Sequence, residues 1–148
     1  MLPAAPARSA SSRNDHRSPL RVLVVDDCPD NAVVLGEVME GFGCDVLACL
    51  SGEQALHAAA AYLPDVVILD LAMPRLDGYE VIREMRRESW ARSALFVAHS
   101  GFASREYIAR SYGAGFHFHL NKPARLEEFQ RIIETSRARF ATHCADAR

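Results

Sequence analysis

Five polar side chains stand where apolar runs stop. "RVLVV" (21–25) closes on Asp26 and Asp27, the run 65–69 on Asp70, "ALFVAH" (94–99) on Ser100, and "FHFHL" (116–120) leads through Asn121 to Lys122. Acids are rarely left in such company without a partner. Carboxylates gathered in a partly desolvated site repel one another and stay ionised only beside a cation. Carboxylate oxygens suit a hard ion, and a site that keeps several waters suits Mg²⁺. The formal charges of Asp26, Asp27, Asp70, Mg²⁺ and Lys122 then sum to zero. A neutral, cation-bearing pocket of this kind can accept a phosphoryl group. Asp70 is placed as the nucleophile, because carboxylates form acyl phosphates. Mg²⁺ and Lys122 would neutralise the equatorial oxygens in the transition state, and Ser100 would donate a hydrogen bond to the new phosphoryl oxygen.

These residues are far apart in sequence, so an architecture must gather them. Short β-branched runs alternate with helical spacing. Strands are expected at 21–25, 44–50, 65–69, 94–99 and 116–120. Between them Val34, Leu35, Val38, Met39 and Phe42 recur at three- and four-residue steps behind Pro29, with Gly41 and Gly43 at the exit. Ser51 with Gln54, and Asp77 with Glu80, read as capping pairs; Asp77 and Glu80 open a helix carrying Tyr79, Ile82 and Met85. A helix is expected around 104–112, stopped by Gly113 and Gly115. A last amphipathic helix over 126–140 turns Leu126, Phe129, Ile132 and Ile133 inward. Strands alternating with helices predict βαβ units: an α/β, doubly wound, five-stranded parallel sheet with helices on both faces. In such a sheet, ligands bind beyond the carboxyl ends of the strands. The five polar residues therefore share one rim.

The 148 residues suit a single core. The composition, 49% apolar and 24% charged, is ordinary for a globular protein. A net charge of −2 gives no basic field for nucleic acid, and no apolar run is long enough for a membrane span. Residues 1–19 read as a disordered leader and 137–148 as a C-terminal tail, leaving 20–136 as the domain. Cys28, Cys44, Cys49 and Cys144 lack C-x-x-C spacing and no export signal precedes them, so free thiols and a cytoplasmic location are expected. Of 17 basic residues only Lys122 is a lysine, which argues against a merely solvated surface cation there. A compact ammonium meets a phosphoryl or carboxylate oxygen as a point charge, without the arginine fork.

Each feature has a plainer structural reading. Asp26 and Asp27 could cap a helix, Asp70 could be a paired structural acid, and Ser100 could cap a turn. Cys28, near a helix N-terminus, could be redox-active, although a small buried side chain is the favoured reading. His99, His117 and His119 could hold zinc, but no cysteine or carboxylate clearly completes the set.

Together, "VLVVDD", "VVILDLAMPRLDG", "HSG" and "LNKP", in this order on successive strand ends, resemble the receiver domain of two-component response regulators, over about 20–135. The resemblance implies the flavodoxin-like (βα)5 order 2-1-3-4-5. It implies that Asp27, Asp70 and the backbone carbonyl of Ala72 touch Mg²⁺, with Asp26 acting largely through water, and that the Lys122–Pro123 bond is cis. It implies phosphoryl transfer from a phosphohistidine on a sensor histidine kinase or histidine phosphotransfer protein, and later loss of the group to water. The domain would thus catalyse its own phosphorylation and dephosphorylation without being an enzyme in the ordinary sense. A stand-alone receiver would signal to a separate effector protein through the fourth helix, fifth strand and fifth helix, about 104–140. Ser100 and the residue three before the lysine are the expected switch positions. The second is often Tyr or Phe in such domains and is His119 here, so an imidazole that titrates near neutrality could make the switch pH-sensitive.

Two rivals remain. An aspartyl-phosphate phosphatase of the haloacid dehalogenase type needs a second Asp two residues after the nucleophile, where this chain has Ala72. A docking module that works without phosphorylation usually lacks an acid, the acceptor or the lysine; none is lost here.

Overall fold

The computed structural model describes residues 19–102 and 104–146. Elements follow in the order β1 (Arg21–Val25), α1 (Pro29–Gly41), β2 (Asp45–Cys49), α2 (Gly52–Tyr62), β3 (Val66–Asp70), α3 (Gly78–Met85), β4 (Leu95–Ser100), α4 (Arg105–Ala114), β5 (Phe118–Asn121) and α5 (Leu126–Asp146). The strands are parallel, in the order β2-β1-β3-β4-β5. The expected α/β architecture and sheet order are both present.

The continuous apolar runs of β1 and β3 are explained by burial on two faces. Leu23, Val25, Val67 and Leu69 pack with Ala55, Ala59, Val81 and Ile82 of α2 and α3. The alternate residues Val22, Val24, Val66 and Ile68 pack with Leu35 and Met39 of α1 and with Phe129, Ile132 and Ile133 of α5. Every residue of β1 and β3 is buried, Asp70 included.

Local chemistry sets the helix starts. Pro29 occupies the first turn of α1. Ser51 Oγ accepts the Gln54 N–H at 3.1 Å, while Gln54 Oε1 accepts the N–H of Leu50. Asp77 Oδ1 accepts the Glu80 N–H at 2.9 Å. Both expected capping pairs therefore form.

Some inward assignments fail. Val34 is 59% exposed and Leu126 58% exposed. Ala32, Leu35, Gly36 and Met39 carry the packed stripe of α1, so the apolar periodicity there was wider than the face that packs. A short 3-10 turn at Ser89–Arg92, which buries Trp90, has no period for a sequence pattern to show. α5 does not stop near Phe140. It runs unbroken to Asp146, because Phe140 still packs on the α1 side of the sheet and Thr142 bonds back to the Ala138 carbonyl. The expected tail at 137–148 is thus largely helix. The expected leader lies, apart from Pro19, outside the described residues.

Candidate functional site

The carboxyl ends of β1 and β3 are adjacent, and β5 brings Lys122 over them from the sheet edge. Lys122 Nζ lies 2.8 Å from Asp26 Oδ2 and 3.4 Å from Asp70 Oδ2. Asp26, Asp27 and Asp70 each present a carboxylate oxygen, and these oxygens lie within 4.8 Å of one another. Asp26 and Asp70 are buried while Asp27 is exposed, so the cup opens to solvent on one side.

Backbone donors aim the acids. Asp26 Oδ1 accepts the Cys28 N–H at 2.9 Å, and Asp70 Oδ1 accepts the Ala72 N–H at 3.1 Å. Burial raises the Asp70 carboxyl above the usual carboxylate range and Asp26 adds to this; the Ala72 bond and the Lys122 charge oppose it. Burial alone would lower the Lys122 ammonium, but its bonds and charge contacts with Asp26 and Asp70 outweigh that and raise it. The ammonium is thereby held charged. Crowded acids with open coordination space fit a hard divalent cation, and carboxylate donors favour Mg²⁺ over a softer metal.

Ser100 ends β4 and is fully buried. Its Oγ accepts the Phe102 N–H at 3.1 Å, and its carbonyl accepts the Lys122 N–H at 2.7 Å. The hydroxyl thus sits on the rim with its own proton free to be donated. The Lys122–Pro123 bond is cis.

His119 Nδ1 lies 2.9 Å from Ser111 Oγ, and its Nε2 lies 3.3 Å from the Phe102 carbonyl. Ser111 also donates to the Ile108 carbonyl at 2.7 Å. A neutral His119 ring, with one N–H, donates either from Nδ1 to Ser111 Oγ or from Nε2 to the Phe102 carbonyl; only the protonated ring does both. His119 therefore ties β5 to α4 and to the loop that follows Ser100.

The three histidines do not converge. His99 meets Phe129 edge-on, His117 stacks on Phe96, and His119 bonds Ser111. Among the described residues only Asp26, Asp27 and Asp70 form a group able to hold a metal, so the zinc alternative is set aside. Cys28 is the N-cap of α1 and half-exposed, not buried as favoured from sequence, because the turn after Asp27 points outward. Cys28, Cys44 and Cys49 are free thiols. Burial raises Cys44 and pushes Cys49 up to about 11, which leaves both protonated and unreactive. Cys144 lies outside the described side chains.

Sequence reasoning missed Gly78. A Cβ there would lie 2.5 Å from the Asp70 carbonyl oxygen and 2.8 Å from Leu71 Cα. Only glycine lets α3 begin this close to the acceptor strand. The signal was present in the quoted "MPRLDG", as a glycine directly after the cap residue Asp77.

Residues 22–134 match the response regulator receiver domain family. A 14.6 kDa protein encoded beside sodA1 in Leptolyngbya boryana is 30% identical over 113 residues, 76% of this chain and 86% of that protein. The probable transcriptional regulator Ycf27 of Guillardia theta is 32% identical over 134 residues, 83% of this chain. The transcriptional regulatory protein PdtaR of Mycobacterium tuberculosis is 30% identical over 127 residues, 85% of this chain. The chain spans 49% of Ycf27 and 60% of PdtaR. The receiver domain of the Pseudomonas aeruginosa sensor histidine kinase PA1611, solved with magnesium in its active-site cleft, superposes with a TM-score of 0.75 at 28% identity, covering 82% of this chain and 99% of that one. No helix among the described residues is long and apolar enough to cross a membrane. With its sheet order, its acid cup and a family match over most of its length, the chain belongs to the response regulator receiver domains of two-component signalling.

Proposed function

We propose that this chain is a phosphorylation-controlled switch that takes a phosphoryl group on Asp70. The observation that carries the reading is the Lys122 ammonium, 2.8 Å from Asp26 and 3.4 Å from Asp70. It joins three strand ends into one cup, whose three carboxylates and one ammonium leave a formal charge of −2 that one Mg²⁺ would balance.

An Asp70 carboxylate oxygen attacks the phosphorus of a phosphohistidine. The P–N bond breaks and the imidazole leaves with the bonding electrons and takes up a proton. Lys122 meets one phosphoryl oxygen and Ser100 donates to another. Mg²⁺ held by Asp26, Asp27, Asp70 and the Ala72 carbonyl would supply further charge neutralisation on those oxygens. Water later attacks phosphorus, the acyl P–O bond breaks, and Asp70 returns as a carboxylate with inorganic phosphate. Ser100, drawn to the phosphoryl group, would loosen its hold on Phe102 and through it the contact with His119. That chain of bonds supports Ser100 and His119 as the switch pair, acting on α4, β5 and α5.

The donor would be a sensor histidine kinase or histidine phosphotransfer protein, and the receiver of the signal a separate effector protein. Neither nucleic acid nor a membrane is an expected partner, and free thiols suit the cytoplasm.

Incubation with acetyl phosphate and Mg²⁺, read by intact mass, tests the assignment. The wild type should gain one labile phosphoryl group, and Asp70→Asn should gain none. A phosphoryl group on Asp70→Asn, or none on the wild type, overturns it. Rapid catalytic turnover of the donor would favour the phosphatase alternative, and inertness the docking module.

A further inference from the structure

The ring of His119 has more bonding partners than a neutral imidazole can serve. It is half-buried on β5, with Nδ1 2.9 Å from Ser111 Oγ of α4 and Nε2 3.3 Å from the Phe102 carbonyl oxygen. Ser111 Oγ also donates to the Ile108 carbonyl at 2.7 Å. A carbonyl oxygen only accepts, so Nε2 must carry a proton to bond Phe102. While Ser111 gives its one proton to Ile108, Nδ1 must carry a proton as well. The imidazolium makes all three bonds. A neutral ring gives up one of them. With its proton on Nδ1 it loses Phe102; with its proton on Nε2 it leaves Ser111 to choose between Ile108 and Nδ1.

The segments joined by these bonds have few other attachments. Ser111 is the one buried residue of α4. Phe102 is 48% exposed, and its N–H donates to Ser100 Oγ at 3.1 Å. No fixed counter-charge stands in for the proton. The loop 101–104 has no titratable side chain. α4 carries Arg105, Glu106, Tyr107, Arg110 and Tyr112; the Arg110 guanidinium lies 4.0 Å over the Tyr79 ring of α3, and Glu106 is exposed in the first turn. Arg86, which follows α3, donates to the Gly115 carbonyl. On β5, His117 stacks on Phe96 and Lys122 turns to Asp26 and Asp70. On β4, Ala98 stands opposite His119, and His99 meets Phe129. Among the described residues no carboxylate pairs with the His119 ring; the pairs formed include Arg87 with Glu84, and Lys122 with Asp26 and Asp70.

We propose that His119 is a proton-operated clamp: the imidazolium fastens both α4 and the loop after β4 to β5, and loss of its proton releases one of these bonds. The clamp stands on these contacts alone. Its consequence for signalling rests on the Asp70 reading above: a phosphoryl group that draws Ser100 away from Phe102 pulls on the loop that the imidazolium holds. Acidification would then oppose the switch.

The test uses unphosphorylated wild-type protein without Mg²⁺ or phosphodonor, so its outcome is independent of that reading. Amide hydrogen exchange is measured at pH 7.5 and 5.5, within the range where imidazoles titrate, and each rate is divided by the intrinsic rate of that amide at that pH. On acidification, protection of Phe102 or of the amides 108–112 should rise by roughly threefold or more, a factor within reach of one hydrogen bond. Protection in β1 and β3 should stay level or fall, because burial lowers His99 and His117 to about 4 and only the unfolded chain takes up those protons. His119→Gln puts an amide that does not titrate in place of the ring, and should abolish the rise. Ser111→Ala keeps the ring but removes one of its two oxygens, so it should abolish the rise as well. No rise in the wild type, an equal rise in β1 and β3, or the same rise in His119→Gln overturns the clamp. A rise confined to the wild type establishes it, even where Asp70 takes no phosphoryl group.

Discussion

Two neighbours on the same rim of the sheet are held in opposite ways. The acid cup stands on β1 and β3, whose residues are buried without exception between flanking strands and helices on both faces. α4 has one buried residue, Ser111, and the Phe102, Tyr107 and Tyr112 rings around it are exposed. What fastens α4 is a short series of directional bonds: Phe102 N–H to Ser100, His119 to Ser111 and to the Phe102 carbonyl, and the Tyr79 hydroxyl to the Tyr107 carbonyl. A buried apolar contact is lost only by opening the core, whereas a hydrogen bond of about 0.5–1.5 kcal/mol net can be exchanged for another. On the proposed function, the chemistry would sit on the half that cannot shift, and the response would fall to the half that can.

The strongest way to break this contrast is by truncation on each side. Phe96 is fully buried and touches Trp90, His117 and Arg86. Phe96→Ala should cost about 3–5 kcal/mol of unfolding free energy in urea. Tyr112→Ala on α4 should stay within about 0.5 kcal/mol of wild type. Comparable losses would mean that α4 is part of the core after all.

The same contrast explains what could be read in advance. β1 and β3 were legible because two-sided burial writes itself as an unbroken apolar run, and the acids stand out where those runs end. Lys122 was legible by composition, as the one lysine among arginines. Val34 and Leu126 misled because an apolar residue beside a packed stripe has the same period as one within it. The reach of α5 past Phe140 was hidden for a different reason: Ala141 and Thr142 are exposed, so no inward apolar position marks the helix there. Gly78 shows the limit from another side. Its need is set by the Asp70 carbonyl oxygen, a backbone atom that no pattern of side chains records.

A middle-sized effect tests the rigid side by pH. His99 lies against Phe129 with its Nε2 buried and without a hydrogen-bond partner. Burial first, then the Lys122 charge, lower it to about 4. The unfolded chain binds a proton near pH 6.5 while the folded one resists until about 4. Stability is therefore full above pH 6.5 and falls as pH drops toward 4, by at most about 3 kcal/mol. His99→Leu should flatten that part of the curve, as read from urea midpoints at pH 7, 5.5 and 4.5. An unchanged slope would show that His99 can be protonated in place.

The smallest effect bears on the loose side most directly. Ser111→Ala removes the Oγ that meets His119 Nδ1 and donates to the Ile108 carbonyl, but opens no large cavity. Global stability should fall by about 1 kcal/mol or less. Local behaviour should change more visibly, because α4 has few other attachments and the loss falls on its own opening equilibrium. Amide hydrogen exchange in α4 should then speed up by roughly fivefold, the factor that about 1 kcal/mol gives, while amides of β1 and β3 keep their rates. Equal acceleration in both places would mean that α4 opens only with the whole domain, and a segment so coupled could not answer a phosphoryl group on Asp70 by moving alone.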